Sequence, residues 1–359
     1  MTLPIRSVIV ATGSYIPTVR VTNEAFAHHR FLDKDGSPLR QDQAAMLDKF
    51  KAISGIGERR YAQPDQRASS MGFLAANDAL TRSGIDPESL DYLIVAHNFG
   101  DVTSGSNRTD MVPSLASRVK ALLQIKNPNC VAYDVIFGCP GWLEGLIQAN
   151  YYIRSGDARR CLVIGTETLS RVVDPHDRDS MLFADGGGAV ILEAVSQSQA
   201  GVLAHATQSH TYDHAHLLSM EKSYDPDRAG SGDIFMKMNG RKLYEFALSE
   251  VAVVIKTALE RANLPLSAIS RILIHQANEK MNMAILERLF KLYGMNTPPP
   301  ELMPMTISWL GNSSVATIPT LLDLILKGDL NSYQINPGDR VVFAAVGAGM
   351  NINAVVYQF

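Results

Sequence analysis

The order of apolar and polar residues along the chain predicts helices that alternate with buried strands. Short apolar runs at 92–96 and 161–165 each follow a longer stretch with helical spacing, at 71–83 and 142–154 respectively. Gly, Asp or Pro residues bound the apolar runs. This alternation is typical of an α/β fold.

The sequence also matches itself weakly at an offset of about half its length. Residues 93–95 match 272–274 at an offset of 179, and 138–139 match 311–312 at an offset of 173. Because the matches keep their order, we expect two copies of one α/β unit.

The seam between the copies is expected near residue 200. The N-terminal half, 1–198, then carries the candidate nucleophile, and the C-terminal half, 199–359, carries the other candidate catalytic residues. A polar segment at about 28–52 contains the turn-forming run Asp-Lys-Asp-Gly-Ser-Pro. We expect it to be an insertion or a mobile cap in the first half.

Composition narrows the class of protein. Of the 359 residues, 46% are hydrophobic and 19% are charged, which is ordinary for a soluble globular protein. The 33 basic and 36 acidic residues give a net charge of −3, so a nucleic-acid partner is not expected.

There is neither a cationic leader nor an apolar run of about 18 residues, so secretion and a membrane span are not predicted. The three cysteines form no C-x-x-C pair, which favours a reducing cytoplasm over a disulfide or zinc framework.

Cys139 is the candidate nucleophile. A buried strand pattern ends at Gly138 and a helical pattern starts at once, with Pro140 suited to the first helical position. At a helix N-terminus, unpaired N–H groups and the helix dipole stabilise a thiolate. The alternative is a small buried core residue, and this interpretation is kept for Cys130 and Cys161.

Two residues of the second half are candidate partners of this thiol. His275 follows the strand-like run 271–274, and sites in open α/β sheets lie at such strand ends. Its imidazole could donate a hydrogen bond or move a proton, or it could be purely structural. Asn312 occupies in the second copy the place that Cys139 holds in the first, although taken alone it would be a helix N-cap.

Other motifs carry weaker indications. The glycine-rich segments 184–188 and 346–349 could offer backbone N–H groups to an oxyanion, but neither fits a nucleotide-binding motif. His210, His214 and His216 have a spacing that a metal could use, but a solvated loop is the favoured interpretation.

Four motifs occur together in an order typical of one enzyme family. They are Phe-Gly before Cys139, His-Gln-Ala-Asn at 275–278, Gly-Asn-Ser-Ser at 311–314 and Gly-Ala-Gly at 347–349. With further matches along nearly the whole chain, the sequence resembles the β-ketoacyl-acyl-carrier-protein synthase III family of thiolase-fold condensing enzymes.

The resemblance implies a five-layered α-β-α-β-α fold, a homodimer and a catalytic triad of Cys139, His275 and Asn312. Cys139 would attack a primer thioester. His275 and Asn312 would donate hydrogen bonds to the malonyl thioester oxygen as carbon dioxide leaves. The backbone N–H groups of Cys139 and Ala348 would form the oxyanion hole. No metal or redox cofactor is required, because the thioester supplies both the acidity and the leaving group.

Departures from the family pattern concern the substrate. Where a well-known member has a Trp and an Arg that clamp the adenine of CoA, this chain has Lys49 and Ile53. Arg178 matches the family's other adenine-stacking Arg. Val112 stands where the partner subunit usually offers a Phe to close the acyl pocket, which suggests a primer longer than acetyl.

Two further basic residues match binding positions of the family. Lys280 takes the place of a residue that docks acidic carrier protein, and Arg241 lies near the pantetheine tunnel. The implied partners are acyl-CoA or acyl-carrier protein as donor and malonyl-acyl-carrier protein as acceptor.

The resemblance thus predicts a carbon–carbon condensation that starts fatty-acid or related polyketide chains. One alternative is a specialised enzyme that joins longer acyl units, of the alkylresorcinol or long-chain Claisen type, or a plain acyltransferase. Asn312 favours enolate chemistry over simple transfer. A second alternative is a non-catalytic paralogue, which retention of all three triad positions disfavours.

Overall fold

Helices and strands alternate through residues 5–228 and 230–359, the part of the chain that the computed structural model describes. The helices are α1 Gln43–Ser54, α2 Ala68–Ser83, α3 Leu115–Leu122, α4 Gly141–Ser155, α5 Thr211–His214, α6 Gly240–Arg261, α7 Glu279–Leu292, α8 Ile307–Leu310 and α9 Thr317–Lys327. The strands are β1 Arg6–Tyr15, β2 Val19–Thr22, β3 Glu58–Tyr61, β4 Tyr92–Ala96, β5 Asp101–Val102, β6 Thr109–Asp110, β7 Val131–Val135, β8 Arg160–Thr168, β9 Asp185–Val195, β10 Gly201–Ser209, β11 Leu218–Glu221, β12 Phe235–Met238, β13 Arg271–Ile274, β14 Arg340–Gly347 and β15 Asn351–Gln358.

Two large sheets share one topology. The first has the order β1-β9-β8-β4-β7, and the second has the order β10-β15-β14-β13. In the first, β4 is parallel to β7 and β8, while β9 is antiparallel to β8 and β1. In the second, β13 is parallel to β14, while β15 is antiparallel to β14 and β10. Strands β4-β8-β9-β1 and β13-β14-β15-β10 therefore correspond in order and direction. The seam predicted near residue 200 falls between β9 and β10.

Helices cover the sheets in five layers. Helices α2 and α3 pack on the outer face of the first sheet through residues such as Ala79 and Val119. Helices α4 and α9 lie between the sheets, where Leu146 and Leu321 share one apolar cluster with residues of both sheets. Helices α6 and α7 cover the outer face of the second sheet. The predicted α/β class and the α-β-α-β-α layering are confirmed.

The layering explains why the central strands are apolar on both faces. In β4, Leu93 and Val95 belong to the outer cluster, while Ile94 and Ala96 belong to the cluster between the sheets. A strand covered on both sides must carry apolar side chains at every position. The continuous apolar runs of the sequence are therefore a direct consequence of the five-layered arrangement.

The two inner helices also end alike. Helix α4 ends at Gly156 with a φ of 84°, and α9 ends at Gly328 with a φ of 79°. Glycine adopts this left-handed conformation without a steric penalty, so it is suited to both positions.

The polar segment at 28–52 is partly helical, since it contains most of α1. A small apolar cluster of Phe26, Phe31, Met46 and Met181 anchors it to the body of the protein. The segment thus forms a packed cap beside the site described below. In the described ranges, no helix is both long enough and apolar enough to cross a membrane.

Candidate active site

Cys139 lies at the junction of β7 and α4. Gly138 has a φ of 67°, which turns the chain sharply after the strand. The helix predicted after Cys139 is present, but Pro140 is its N-cap rather than its first helical residue. Cys139 therefore directly precedes the first turn.

The ionisation of Cys139 differs from the sequence-based expectation. Protein surrounds the thiol on most sides, and this burial raises its pKa to about 11. A hydrogen bond with the Ser314 hydroxyl lowers the pKa, and the nearby Glu167 carboxylate raises it. The expected stabilisation of a thiolate by the helix start is thus outweighed, and at rest the thiol is protonated.

His275 directly follows β13, at the end of a buried strand as predicted. Its backbone N–H donates to the Ala344 carbonyl at 2.8 Å, which extends the pairing of β13 with β14. Only 3% of the residue is exposed, and burial lowers the pKa of the imidazole to about 4. The ring is therefore neutral at pH 7.

The tautomer of His275 depends on Thr317. Nδ1 lies 2.8 Å from Thr317 Oγ1, which in turn lies 2.9 Å from the Ser314 carbonyl oxygen. Both contacts are hydrogen bonds at once only when Nδ1 carries the proton, because the threonine hydroxyl has a single hydrogen. For Nε2–H to donate to a substrate, the Thr317 hydroxyl must instead donate to Nδ1.

Asn312 lies in the turn after α8. Its Oδ1 accepts from the Ser314 backbone N–H at 2.9 Å, so the amide NH₂ is turned away from that bond and can donate elsewhere. The backbone of Asn312 is fixed by bonds with Leu182 and Ala184 at 3.0 and 2.8 Å. Asn312 is not the N-cap of α9, which begins at Thr317 with Ala316 as its N-cap.

The segment 312–317 connects all three candidates. Asn312 belongs to it, Ser314 bonds to the Cys139 sulfur, and Thr317 bonds to His275. The structure therefore brings together residues that lie up to 173 positions apart in the sequence.

Ala348 lies beside the nucleophile. A Cβ atom on Gly347 would lie 2.3 Å from the Cys139 nitrogen, and one on Gly138 would lie 2.7 Å from the Ala348 nitrogen. Glycine is required at both positions, because two backbone segments approach each other there. The backbone around Cys139 and the backbone around Ala348 are therefore in close contact.

A cavity of about 740 Å³ reaches the site, with Asn312 among its lining residues. Arg178 and Arg241 line it as well, together with Lys49 and Ile53. The Arg241 side chain is 90% exposed and pairs with Glu245 at 3.0 Å.

Five of the sequence-predicted site residues are not among those that line this cavity: Cys139, His275, Ala348, Lys280 and Val112. Lys280 is exposed in the first turn of α7. Val112 is 87% exposed, although its side chain is apolar.

Comparison with known proteins identifies the family of the chain. The family model described as 3-oxoacyl-[acyl-carrier-protein] synthase III matches residues 133–211, and the model of its C-terminal part matches 259–359. Together the two models cover half of the chain. The chain belongs to the 3-oxoacyl-[acyl-carrier-protein] synthase III family. It is therefore a condensing enzyme of the acyltransferase class.

Solved structures support the same assignment. Synthase III from Thermus thermophilus is 30% identical with a TM-score of 0.78, and 98% of each chain is covered. Synthase III from Aquifex aeolicus VF5 is 28% identical with a TM-score of 0.79, over 98% of this chain and 100% of that one. An OleA variant from Xanthomonas campestris matches over 100% of both chains with a TM-score of 0.77, but at 18% identity it shows only the shared fold.

Sequence reasoning missed four polar residues around this synthase III site: Asn98, Glu167, Ser314 and Thr317. Ser314 is part of the Gly-Asn-Ser-Ser motif at 311–314, but the sequence alone predicts no role for it. An acidic residue two positions after the apolar run of β8 was a usable signal for Glu167, since a buried carboxylate is costly without a purpose.

The histidines at 210–216 form no grouped site. His210 Nε2 lies 2.8 Å from Gln208 Oε1, and His214 packs against the ring of Phe246. In the ranges 5–228 and 230–359, no three His, Cys, Asp or Glu side chains are grouped as metal ligands.

Proposed function

We propose that this protein condenses an acyl primer, held as a thioester on Cys139, with malonyl-acyl-carrier protein. The reaction releases carbon dioxide and gives a 3-oxoacyl product. The observation that carries the proposal is the segment 312–317, which joins Asn312 to the surroundings of Cys139 and His275.

The first step is acylation. The Cys139 sulfur attacks the carbonyl carbon of the donor thioester, the donor's carbon–sulfur bond breaks, and the departing thiolate takes up a proton. The backbone N–H groups of Cys139 and Ala348 would hold the oxyanion that forms in between.

The second step is decarboxylative condensation. Asn312 Nδ2 and His275 Nε2 would donate hydrogen bonds to the malonyl thioester oxygen, which stabilises the enolate as the carbon–carboxylate bond breaks. The enolate carbon then attacks the acyl group on Cys139, the carbon–sulfur bond breaks, and the Cys139 thiolate that leaves takes up a proton from solvent. A neutral imidazole suits this role, because it donates a hydrogen bond without adding a charge to the site.

Basic side chains support a phosphorylated donor. Lys49, Arg178 and Arg241 line the same cavity as Asn312, as does Lys34. They would meet the phosphates of acyl-CoA or of the pantetheine arm of acyl-carrier protein. Lys280 on α7 would contact the acidic surface of the carrier protein.

The primer is proposed to be longer than acetyl. This rests on Val112, which in a homodimer would be supplied by the second subunit and is smaller than the aromatic residue usual in the family. Its 87% exposure leaves the side chain free to reach another subunit.

The test is intact-protein mass spectrometry after incubation with acyl-CoAs of two to twelve carbons, comparing the wild type with Cys139→Ala. We expect one acyl adduct in the wild type and none in the variant, with the fastest labelling above two carbons. Adding malonyl-acyl-carrier protein should then discharge the adduct with release of carbon dioxide. Discharge without carbon dioxide, to an oxygen or nitrogen acceptor, would show acyl transfer instead. No adduct from either acyl-CoAs or acyl-carrier proteins would refute the proposal.

A further inference from the structure

The proposed acylation needs a thiolate, yet the site opposes its formation. Cys139 is protonated at rest because of burial, and the neutral imidazole of His275 adds no positive charge. The charge of Glu167 acts on the sulfur, and it has the same sign as a thiolate. A buried carboxylate beside a nucleophile that must become negative requires an explanation.

Glu167 is fully buried in β8 and only half satisfied. Its Oε1 accepts two hydrogen bonds of 2.6 Å, from the backbone N–H and the side-chain amide of Asn98. Its Oε2 has no hydrogen-bond partner within the described part of the chain. Burial raises the pKa of the carboxyl to about 7, so a proton on Oε2 costs little near neutrality.

Asn98 links this carboxylate to the nucleophile. Its Nδ2 donates to Glu167 Oε1 and, at 3.2 Å, also to Ser314 Oγ. Since Ser314 Oγ accepts there, its own O–H remains free to donate to the sulfur of Cys139. The bond from Asn98 to Ser314 and the Ser314 hydroxyl thus both run towards the sulfur, which is the direction that stabilises a thiolate, while the bond from Asn98 to Glu167 holds the amide in place.

The backbone supports this arrangement. Ser314 has a φ of 52°, a conformation that residues with a Cβ rarely adopt, and it is 2% exposed. Gly165 in β8 lets the strand approach, because a Cβ there would lie 2.3 Å from the Val315 carbonyl oxygen. The strand that carries Glu167 and the turn that carries Ser314 are therefore held in close contact.

We propose that Glu167 is a positioning residue that controls the ionisation of Cys139: it fixes the Ser314 donor through Asn98, and it takes up a proton as the thiol loses one. The part that Glu167 plays in the catalytic cycle rests on the proposed function. The pair keeps a net charge of minus one throughout. When the donor's carbon–sulfur bond breaks, its thiolate takes a proton and Glu167 returns to the carboxylate.

Other charged or titratable groups face this pair. His97, at the end of β4, accepts from Gly100 N–H at Nδ1, so its Nε2 carries the proton and donates to Asp134 at 2.8 Å. Asp185 of β9 accepts three hydrogen bonds, from the backbone and hydroxyl of Ser170 and from the backbone of residue 62. Of Glu167, His97 and Asp185, only Glu167 has a side-chain polar atom without a hydrogen-bond partner in the described part of the chain.

The experiment measures the rate of Cys139 alkylation by iodoacetamide from pH 5 to 10, read by peptide mass spectrometry. In the wild type, the logarithm of the rate should rise with pH, flatten above pH 7 as Glu167 ionises, and rise again. Glu167→Gln keeps the acceptor for Asn98 but removes the charge. Its pH profile should have no break near pH 7 and should match that of the wild type below pH 7. At pH 8 to 9 its rate of alkylation should be about tenfold higher than that of the wild type, which corresponds to a difference of one unit in the pKa of the Cys139 thiol.

The variant Ser314→Ala tests the hydrogen-bond donor separately from the charge. It keeps the charge of Glu167 but removes the donor to the sulfur, so alkylation should be several-fold slower than in the wild type. Glu193→Gln, which neutralises a β9 carboxylate paired with Arg160, is the matched control and should keep the wild-type profile. Impaired folding could not raise the rate of Cys139 alkylation in Glu167→Gln and lower it in Ser314→Ala.

The inference is overturned if the wild type has no break near pH 7, or if Glu167→Gln has the wild-type profile. The wild-type measurement alone decides the matter should the variants fail to fold. Because iodoacetamide is not an acyl donor, the result is independent of the proposed function. Normal alkylation profiles without acyl labelling would refute the function alone, and acyl labelling without the break would refute this inference alone.

Discussion

At the scale of single residues, burial sets the chemistry of this site more than charge does. It keeps the Cys139 thiol protonated and the His275 imidazole neutral at pH 7. Catalysis then depends on where individual hydrogen atoms are held. Thr317 is decisive for His275, because its hydroxyl can donate either to the Ser314 carbonyl or to Nδ1.

Thr317→Val is therefore expected to slow condensation while leaving acylation of Cys139 intact. Valine has the same shape but neither donates to nor accepts from Nδ1. The His275 tautomer that carries its proton on Nε2 therefore loses its supporting hydrogen bond, and donation to the malonyl thioester is weakened. The loss of one hydrogen bond is about 1 kcal/mol, or roughly fivefold in rate. The measurement is carbon dioxide release from malonyl-acyl-carrier protein, compared with the rate of adduct formation by mass spectrometry.

The control is Thr257→Val on α6, where the hydroxyl bonds only to the Val253 carbonyl of the same helix. It should change neither step. An equal loss in both steps for Thr317→Val would show that the threonine supports the site as a whole rather than the tautomer of His275.

At the scale of elements, the active site is assembled where β8 approaches the segment 312–317. The approach depends on the absence of a side chain at Gly165. A Cβ atom added there would also lie 3.3 Å from the Cβ atom of Trp142. Neither the strand nor the turn holds the geometry alone. Their contact places Ser314 against Cys139 and carries Asn312 into the cavity.

Gly165→Ala should displace this turn and reduce both acylation and condensation. The added methyl group would lie 2.3 Å from the Val315 backbone carbonyl oxygen, so the backbone must shift, and overpacking of this kind costs about 1–3 kcal/mol. We expect a lower melting temperature together with slower labelling of Cys139. In Gly230→Ala the new methyl group would meet nothing within 4 Å in the described part of the chain, so both quantities should stay at wild-type values. Wild-type labelling in Gly165→Ala would contradict the role given to this contact.

At the scale of the whole molecule, the β7 edge of the first sheet is open. Strand β7 pairs with β4 on one side only in the described structure, and an unpaired edge is a template for another chain. Apolar residues are exposed on and after this strand, with Val131 at 47% and Ile136 at 58%. Together with Val112, they suit an interface with a second copy of the chain.

Val112→Asp is accordingly expected to weaken a homodimer, because a carboxylate would have to be desolvated in an apolar interface. Light scattering should show a mass of about twice 39.2 kDa for the wild type and a shift towards 39.2 kDa for the variant. Tyr212→Asp puts the same charge on another exposed side chain and should not dissociate the protein. A wild-type monomer at high concentration would refute the dimer.

The fold class could be predicted from the sequence because strand and helix periodicities are local. The apolar run at 92–96 was recognisable as a strand, and its burial on both faces follows from the layering. Cys139, His275 and Asn312 were recognisable because each stands at the end of a periodic segment or in a repeated motif. The role of Glu167 was not, since nothing near it in the chain indicates that Asn98 will bind it and link it to Ser314.

By itself, the sequence determined the α/β layering, the internal repeat and the positions of the chemically able side chains. Only the tertiary structure decided that the thiol is protonated, that the imidazole is neutral, and that a carboxylate from β8 shares their site. The physical reason is that desolvation and hydrogen bonding arise between residues far apart in the chain. Asn98 and Ser314 are 216 positions apart in the sequence, yet Asn98 Nδ2 lies 3.2 Å from Ser314 Oγ. No local sequence pattern carries that information.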